Sequence, residues 1–182
     1  MGIARNIARL APNGSGLLPN ANIEAVAASK LTGTVADANA PSGSVIQVVQ
    51  AHITTGTSTT SQSYVDTAIT ASITPISSSN KILVLISHNW YIARNSVSLS
   101  YGDCFFRITR GGSDLASNRY AINFGDTNWN DFFNHNSFNY LDSPNTTSSV
   151  TYRVQMRNGA NSFNLSCPSE GFGGIALLEI AA

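Results

Sequence analysis

Ionic side chains are scarce in this chain of 182 residues. Asp, Glu, Lys and Arg fill only 11% of its positions, against about 25% in an ordinary soluble protein. The ten bases and ten acids cancel and neither sign is clustered. That removes the electrostatic footprint of a nucleic-acid binder or of a protein held at an anionic membrane surface. Long apolar runs are missing too. The longest, Ile82 to Ile86, falls far short of the roughly 20 residues with which a helix crosses a bilayer, so no membrane insertion is expected. The first sixteen residues carry Arg5 and Arg9 but not the unbroken apolar stretch of a secretory signal. The expectation is a protein kept in the cytoplasm until it is assembled. Cysteine is limited to Cys104 and Cys167, in separate strand-like segments without CxxC spacing. Two reduced core thiols are expected, not a disulfide.

The signatures of catalysis are equally thin. His52, His88 and His135 stand on separate segments without the short spacing of a metal-binding helix or finger. A three-fold assembly could gather copies of one histidine on its axis; the plainer reading is three separate hydrogen-bonded or exposed rings. Asp126 and Asp131 flank TNWN and could form the carboxylate pair of a glycoside hydrolase, but aspartate is also a routine turn residue, and a pair needs mutual geometry to be credited. There is no GxSxG elbow, and the glycines at Gly111, Gly112, Gly171, Gly173 and Gly174 are followed by no GKS or GKT. They read as turns and as an approach to the last strand. The chain is expected to be non-enzymatic, with no metal and no cofactor.

What the sequence does have is Ser, Thr, Asn and Gly clusters between short β-branched runs. From Gly43 onward this reads as strands and turns: Ser44 to Ile53, Ser63 to Ile73, Lys81 to His88, Cys104 to Arg110, Arg119 to Phe124, Phe132 to Leu141, Val150 to Met156, Ser162 to Ser166 and Gly174 to Ile180. The turns fall in TTGTSTTS, PISSSN, RGGSD, DSPNTTSS and RNGAN. About nine strands at this spacing fit an all-β, jelly-roll-like antiparallel sandwich over residues 43–182. KILVLI, residues 81–86, alternates too little for a half-exposed strand and belongs at the centre of a sheet or under a subunit contact.

Residues 1–42 form a separate arm, extended and partly helical. Ile3, Ile7 and Leu10 are spaced as one stripe of a short helix. Residues 20–30 offer another, with Asn20 or Asn22 as cap and Ile23, Val26 and Ala27 as a narrow seam. Neither seam buries enough area to offset the entropy of ordering some forty residues. The arm is therefore expected to borrow its order from identical neighbours or from a larger particle, through Ile3, Ile7, Leu10, Leu17, Leu18, Ile23, Val26 and Leu31.

The surface candidate is FGDTNWNDFFNHNSFNY, residues 124–140. Aromatic faces stack on the apolar faces of sugar rings, and amides both donate to and accept from sugar hydroxyls. Trp129, Asn130 and His135 are the glycan-binding candidates here, while Phe132, Phe138 and Tyr140 alternate as a core or interface set would. HNWYIAR, residues 88–94, adds Trp90 and Tyr91 as rim contacts or as strand packing.

The stretch Leu17 to Gln50, with LLPNANIEAVAASK and ASKLTGTV before a short polar turn, resembles the connecting segments of bacteriophage tail fibres and related virion proteins. TAITASITPISSSNKILVLIS, YLDSPNTTSSVTYRVQMRN and the final LLEIAA resemble segments of fibre-type structural proteins of phages from aquatic bacteria. The resemblance implies a virion location, a homotrimer, and a short fibre or spike whose arm binds a tail hub or adaptor while its outer loops meet host-surface polysaccharide. A capsid decoration protein bound to the major capsid protein is the close alternative. A glycan-degrading enzyme or carbohydrate-binding module is the reading from another class.

Overall fold

A computed structural model describes residues 40–94, 101–123, 131–159 and 163–182. The arm residues Ile3, Ile7, Leu10, Leu17, Leu18, Ile23, Val26 and Leu31, and Trp129 and Asn130, lie outside the described residues.

Among the described residues ten strands follow in order: β1 Val45–Ile53, β2 Thr57–Thr59, β3 Val65–Ile73, β4 Lys81–Arg94, β5 Tyr101–Arg110, β6 Ser113–Asn123, β7 Asp131–Asp142, β8 Val150–Asn158, β9 Phe163–Cys167 and β10 Gly173–Ile180. Every pairing is antiparallel, and no helix occurs among the described residues. One sheet, A, places β10 between β1 and β4 and β4 between β10 and β7; β9 continues the β10 side of β4 at Tyr91 to Arg94, with β2 beyond it. Sheet B has the order β3-β8-β5-β6. The two close on one apolar core as an antiparallel β-sandwich.

β1 and β2 run as one interrupted strand, and β9 and β10 as its interrupted partner, since Ile53 faces Gly173 and Thr57 faces Cys167. The pairs are then first with last, β3 with β8, β4 with β7 and β5 with β6. These are the pairs of one long two-stranded ribbon folded over itself. Its tip is the turn at Gly111 and Gly112, where φ of 55° and 90° is the left-handed backbone that a two-residue hairpin demands and glycine supplies.

The inward faces follow the period of two. Ile82, Val84, Ile86, Trp90 and Ile92 from β4 meet Cys104, Phe106 and Ile108 from β5 and Tyr152, Val154 and Met156 from β8, all essentially without solvent contact. KILVLI is indeed central in its sheet, flanked by β10 and β7. The strand continues beyond His88 to Arg94, and this corrects the reading of Trp90 as a surface contact. Alternation sends Trp90 inward, where its indole lies 5.7–5.9 Å from the rings of Phe106, Tyr120 and Phe132, while Tyr91 faces out. β2 is a second correction. TTGTSTTS was expected to be all turn, but Thr57–Thr59 pairs with β9.

Polar groups inside the sandwich are tied in sets. His88 Nδ1 lies 3.2 Å from Cys167 Sγ and His88 Nε2 lies 3.4 Å from Asn136 Nδ2. Asn136 Oδ1 accepts from the Tyr120 hydroxyl. Glu179 Oε1 accepts from Ile76 N and Asn80 Nδ2, both at 2.7 Å, and so binds the β3–β4 turn to the last strand. Asp142 accepts from Arg110 and from the Tyr152 hydroxyl, both at 2.6 Å. Both cysteines are free and buried, and burial pushes their thiols far above the ordinary range, so neither offers a nucleophile.

Candidate functional site: the outer face of sheet A

The two outer faces of the sandwich differ in chemistry. Sheet B carries a polar ladder across all four strands. Asp114 pairs with Arg107, whose Nε donates to Gln155 at 2.7 Å; Gln155 donates to Asp66 at 2.6 Å, and Asp66 also pairs with Arg153. Arg119 pairs with Asp103 at 2.9 Å, and Arg157 lies 3.6 Å over the Phe105 ring. Such a face is at home in water, and its exposed pairs contribute little each to stability.

Sheet A is uncharged over most of its outer face. Among the described residues, Lys81 and Asp131 mark its ends and Glu170 stands on the β9–β10 turn. The register aligns Val48, Leu178, Leu83 and Leu141 in one row across β1, β10, β4 and β7. Val48 is 61% and Leu141 51% exposed. Leu83 and Leu178, between them, are half-buried, and large contiguous apolar patches are uncommon on the surface of soluble monomers.

Further along the same strands the face turns aromatic and polar. The next rows are Gln50, Ala176, Leu85 and Asn139, then His52, Gly174, Ser87 and Ser137. Small residues on β10 leave a depression of about 360 Å³ there, bordered by Gln50, His52, Leu85, Ser87, Ser137 and Phe172. Phe172 is 43% exposed, with the rings of His52 and His135 each 6.1 Å from its own. His135 Nε2 is held 2.8 Å from the Ser87 hydroxyl.

Phe172 is fixed by its turn. Phe172 N donates to Ser169 O, while Glu170 and Gly171 adopt φ of 54° and 66°. The turn is pinned to β4 at both ends, through Ser169 N to Asn89 O and Asn89 N to Phe172 O, each 3.0 Å. A left-handed Glu170 costs about 1–2 kcal/mol, a strain kept only where surroundings over-determine the conformation.

Beside this turn a second depression of about 220 Å³ is bordered by Asn89, Phe133, Asn134, Ser169 and Glu170. Phe133 is 58% exposed, and its ring lies 4.5 Å from that of Tyr91 at 36°. The Tyr91 hydroxyl donates to Asp131 at 2.7 Å; that bond, with lesser effects of burial and of the carboxylate charge, pushes Tyr91 up to about 12. Tyr91 stays neutral, and its bond to Asp131 holds its ring beside that of Phe133.

Of the glycan-binding candidates, His135 and Tyr91 thus lie on one face, and Trp90 lies inside. Ser87 and Phe172, which the sequence does not mark, join them, as does His52, read from the sequence only as a separate ring or a residue on a three-fold axis. Asp131 is engaged by Tyr91, and Asp126 lies outside the described residues. Among the described residues no group of three or more His, Cys, Asp or Glu is placed to hold a metal ion.

No family model and no curated protein matches the chain. Among solved structures, the insecticidal delta-endotoxin Cry8Ea1 from Bacillus thuringiensis is similar at 15% identity and a TM-score of 0.36, over 69% of this chain and 19% of the toxin. A structure of infectious bursal disease virus, Gx strain, is similar at 12% identity and a TM-score of 0.35, over 76% of this chain and 38% of that one. The chain spans well under half of either, and at these scores neither likeness bears on function.

Proposed function

We propose that the chain is a non-enzymatic structural protein of a virion, a short fibre or spike that assembles as a homotrimer, is mounted by its N-terminal arm, and meets host-surface glycan through its sandwich. The observation that carries this reading is the contrast between the two outer faces. Sheet B is dressed in paired ions, whereas sheet A presents the row Val48, Leu178, Leu83 and Leu141 without a charge among them. A sister subunit placed on that row would remove apolar surface from water at about 25 cal/mol per Å². The fold proposed for the head is a jelly roll; the ribbon-like pairing of first with last, β3 with β8, β4 with β7 and β5 with β6 supports it, since two interlocked Greek keys give that arrangement, found in viral capsid and lectin domains.

Labelling purified particles with antibody against the full chain tests the reading. Label at the tail supports the fibre or spike, with a hub or adaptor as partner of the arm. Label spread over the shell would replace it with decoration of the major capsid protein, and particles free of the chain would refute a virion role. Shortening of host polysaccharide by the purified protein would instead favour the enzyme.

A further inference from the structure

We propose that the depression beneath Phe172 is a subsite for one or two neutral hexopyranose rings, and that Phe172, His52, Ser87, Ser137 and Gln50 are its working side chains, with His135 bonded to Ser87 and flanking Phe172. The inference deepens the glycan contact of the preceding reading and rests on it for its biological setting. It stands physically on this cleft.

Three features define the class of ligand. First, the floor is bare. Gly174 and Ala176 occupy the first two outward positions of β10, and a Cβ added at Gly174 would meet only Ser87 O at 3.8 Å and Ala51 O at 3.9 Å. The space above the strand is open, and its roughly 360 Å³ lies at the small end of the 300–1,000 Å³ range of ligand sites, enough for one or two sugar rings.

Second, one wall is an aromatic face. Phe172 is held by its pinned turn and by two flanking imidazoles, so it presents its exposed ring with little entropy left to lose. The C–H face of a pyranose packs on such a ring, as other apolar surface does.

Third, the polar groups around the ring are hydroxyls, an amide and imidazoles, able to donate and accept. Among the described residues no lysine, arginine or carboxylate borders the cleft. A uronate or sialate would find no lysine or arginine among them to pair with, and an amine no carboxylate. A neutral, hydroxyl-rich ring is the chemistry this set satisfies.

The test is saturation-transfer NMR of the full chain against methyl glycosides of glucose, galactose and mannose, with a uronic acid and a sialic acid for comparison. Phe172→Ala, Gly174→Val and the control Phe133→Ala are run beside the unaltered protein, with thermal midpoints and sedimentation measured on the same samples. The expected result is binding of at least one neutral hexoside, weakened about tenfold or more by Phe172→Ala, as loss of an aromatic contact predicts. Gly174→Val should do the same by filling the floor while leaving the fold intact, and Phe133→Ala should leave binding unchanged. No binding of any neutral hexoside, equal binding by Phe172→Ala and Gly174→Val, or preference for the acidic sugars would each overturn the subsite. A trimer that binds no sugar would sink the subsite alone; a monomer that binds sugar at Phe172 would sink only the assembly reading.

Discussion

His88 should make the sandwich acid-sensitive in a defined window. Its ring has no solvent contact and packs 4.9 Å from Phe106. Asn136 Oδ1 is already used by the Tyr120 hydroxyl, so the amide group donates to His88 Nε2, and the remaining Nδ1–H points at Cys167 Sγ. Protonating Nε2 would set a donor against a donor and place a charge in an apolar core. Burial is the largest cause that lowers His88 from 6.5 to about 4; a backbone hydrogen bond at Asn89 opposes it, and the neighbouring His135 adds to it. Between these values the unfolded chain binds the proton more readily than the folded one, so stability falls as pH falls. The contribution is whole above about 6.5, is lost progressively down to about 4, and does not change below that. At about 1.4 kcal/mol per pH unit, the loss is roughly 3 kcal/mol, a large share of the stability of an ordinary domain. Urea unfolding of the unaltered chain and of His88→Gln at steps from pH 7.5 to 4 isolates it, because the carboxylates titrate in both proteins and cancel in the difference. The variant should show the shallower pH dependence by about that amount, and the C2 proton of His88 should titrate near pH 4 by NMR. Parallel curves, or a ring titrating near 6.5, would refute the argument.

Other perturbations follow from the packing. A Cβ at Gly102 would meet the buried Phe163 ring at 2.5–3.1 Å, so Gly102→Ala should cost about 1–3 kcal/mol by overpacking, read as a lowered urea midpoint with an unchanged m-value. Glu179→Ala strands the donors of Ile76 and Asn80 and should cost about 3 kcal/mol, with Glu179→Gln markedly milder because one acceptor survives; equal losses in thermal unfolding would contradict the assignment. Trp90→Ala empties the centre of the core and should destabilise by about 3–5 kcal/mol, whereas Phe133→Ala, on the outer face, should stay within about 0.5 kcal/mol.

The strand pattern was legible wherever alternation or a dense β-branched run was local. The residues of β1, β3, β8 and β10 announce themselves, and the apolar outer positions Leu83 and Leu85 give β4 its central place. β2 was not legible, because Thr57–Thr59 is polar and becomes a strand only through β9, more than a hundred residues away. The inward place of Trp90 was hidden for a specific reason. A strand ended at His88 leaves Trp90 and Tyr91 open between rim contact and strand packing, whereas continuing the period of two sends one in and the other out. The cleft was invisible for another. His52, Ser87, His135 and Phe172 come from four distant segments, and only the register across β1, β10, β4 and β7 gathers them. GFGG, residues 171–174, carried the one local signal, a turn followed by a strand without side chains on its outward start.

The most direct test is sedimentation velocity of the full chain across a wide concentration range, beside Val48→Lys combined with Leu141→Lys. Both positions are exposed in the single protomer, so the substitutions leave the core alone and place charge on the apolar row of sheet A. The unaltered chain should sediment as a trimer, and the double variant should fall to a folded monomer. A chain that stays monomeric throughout, or a trimer that the two lysines leave intact, would contradict the assignment of that face to assembly.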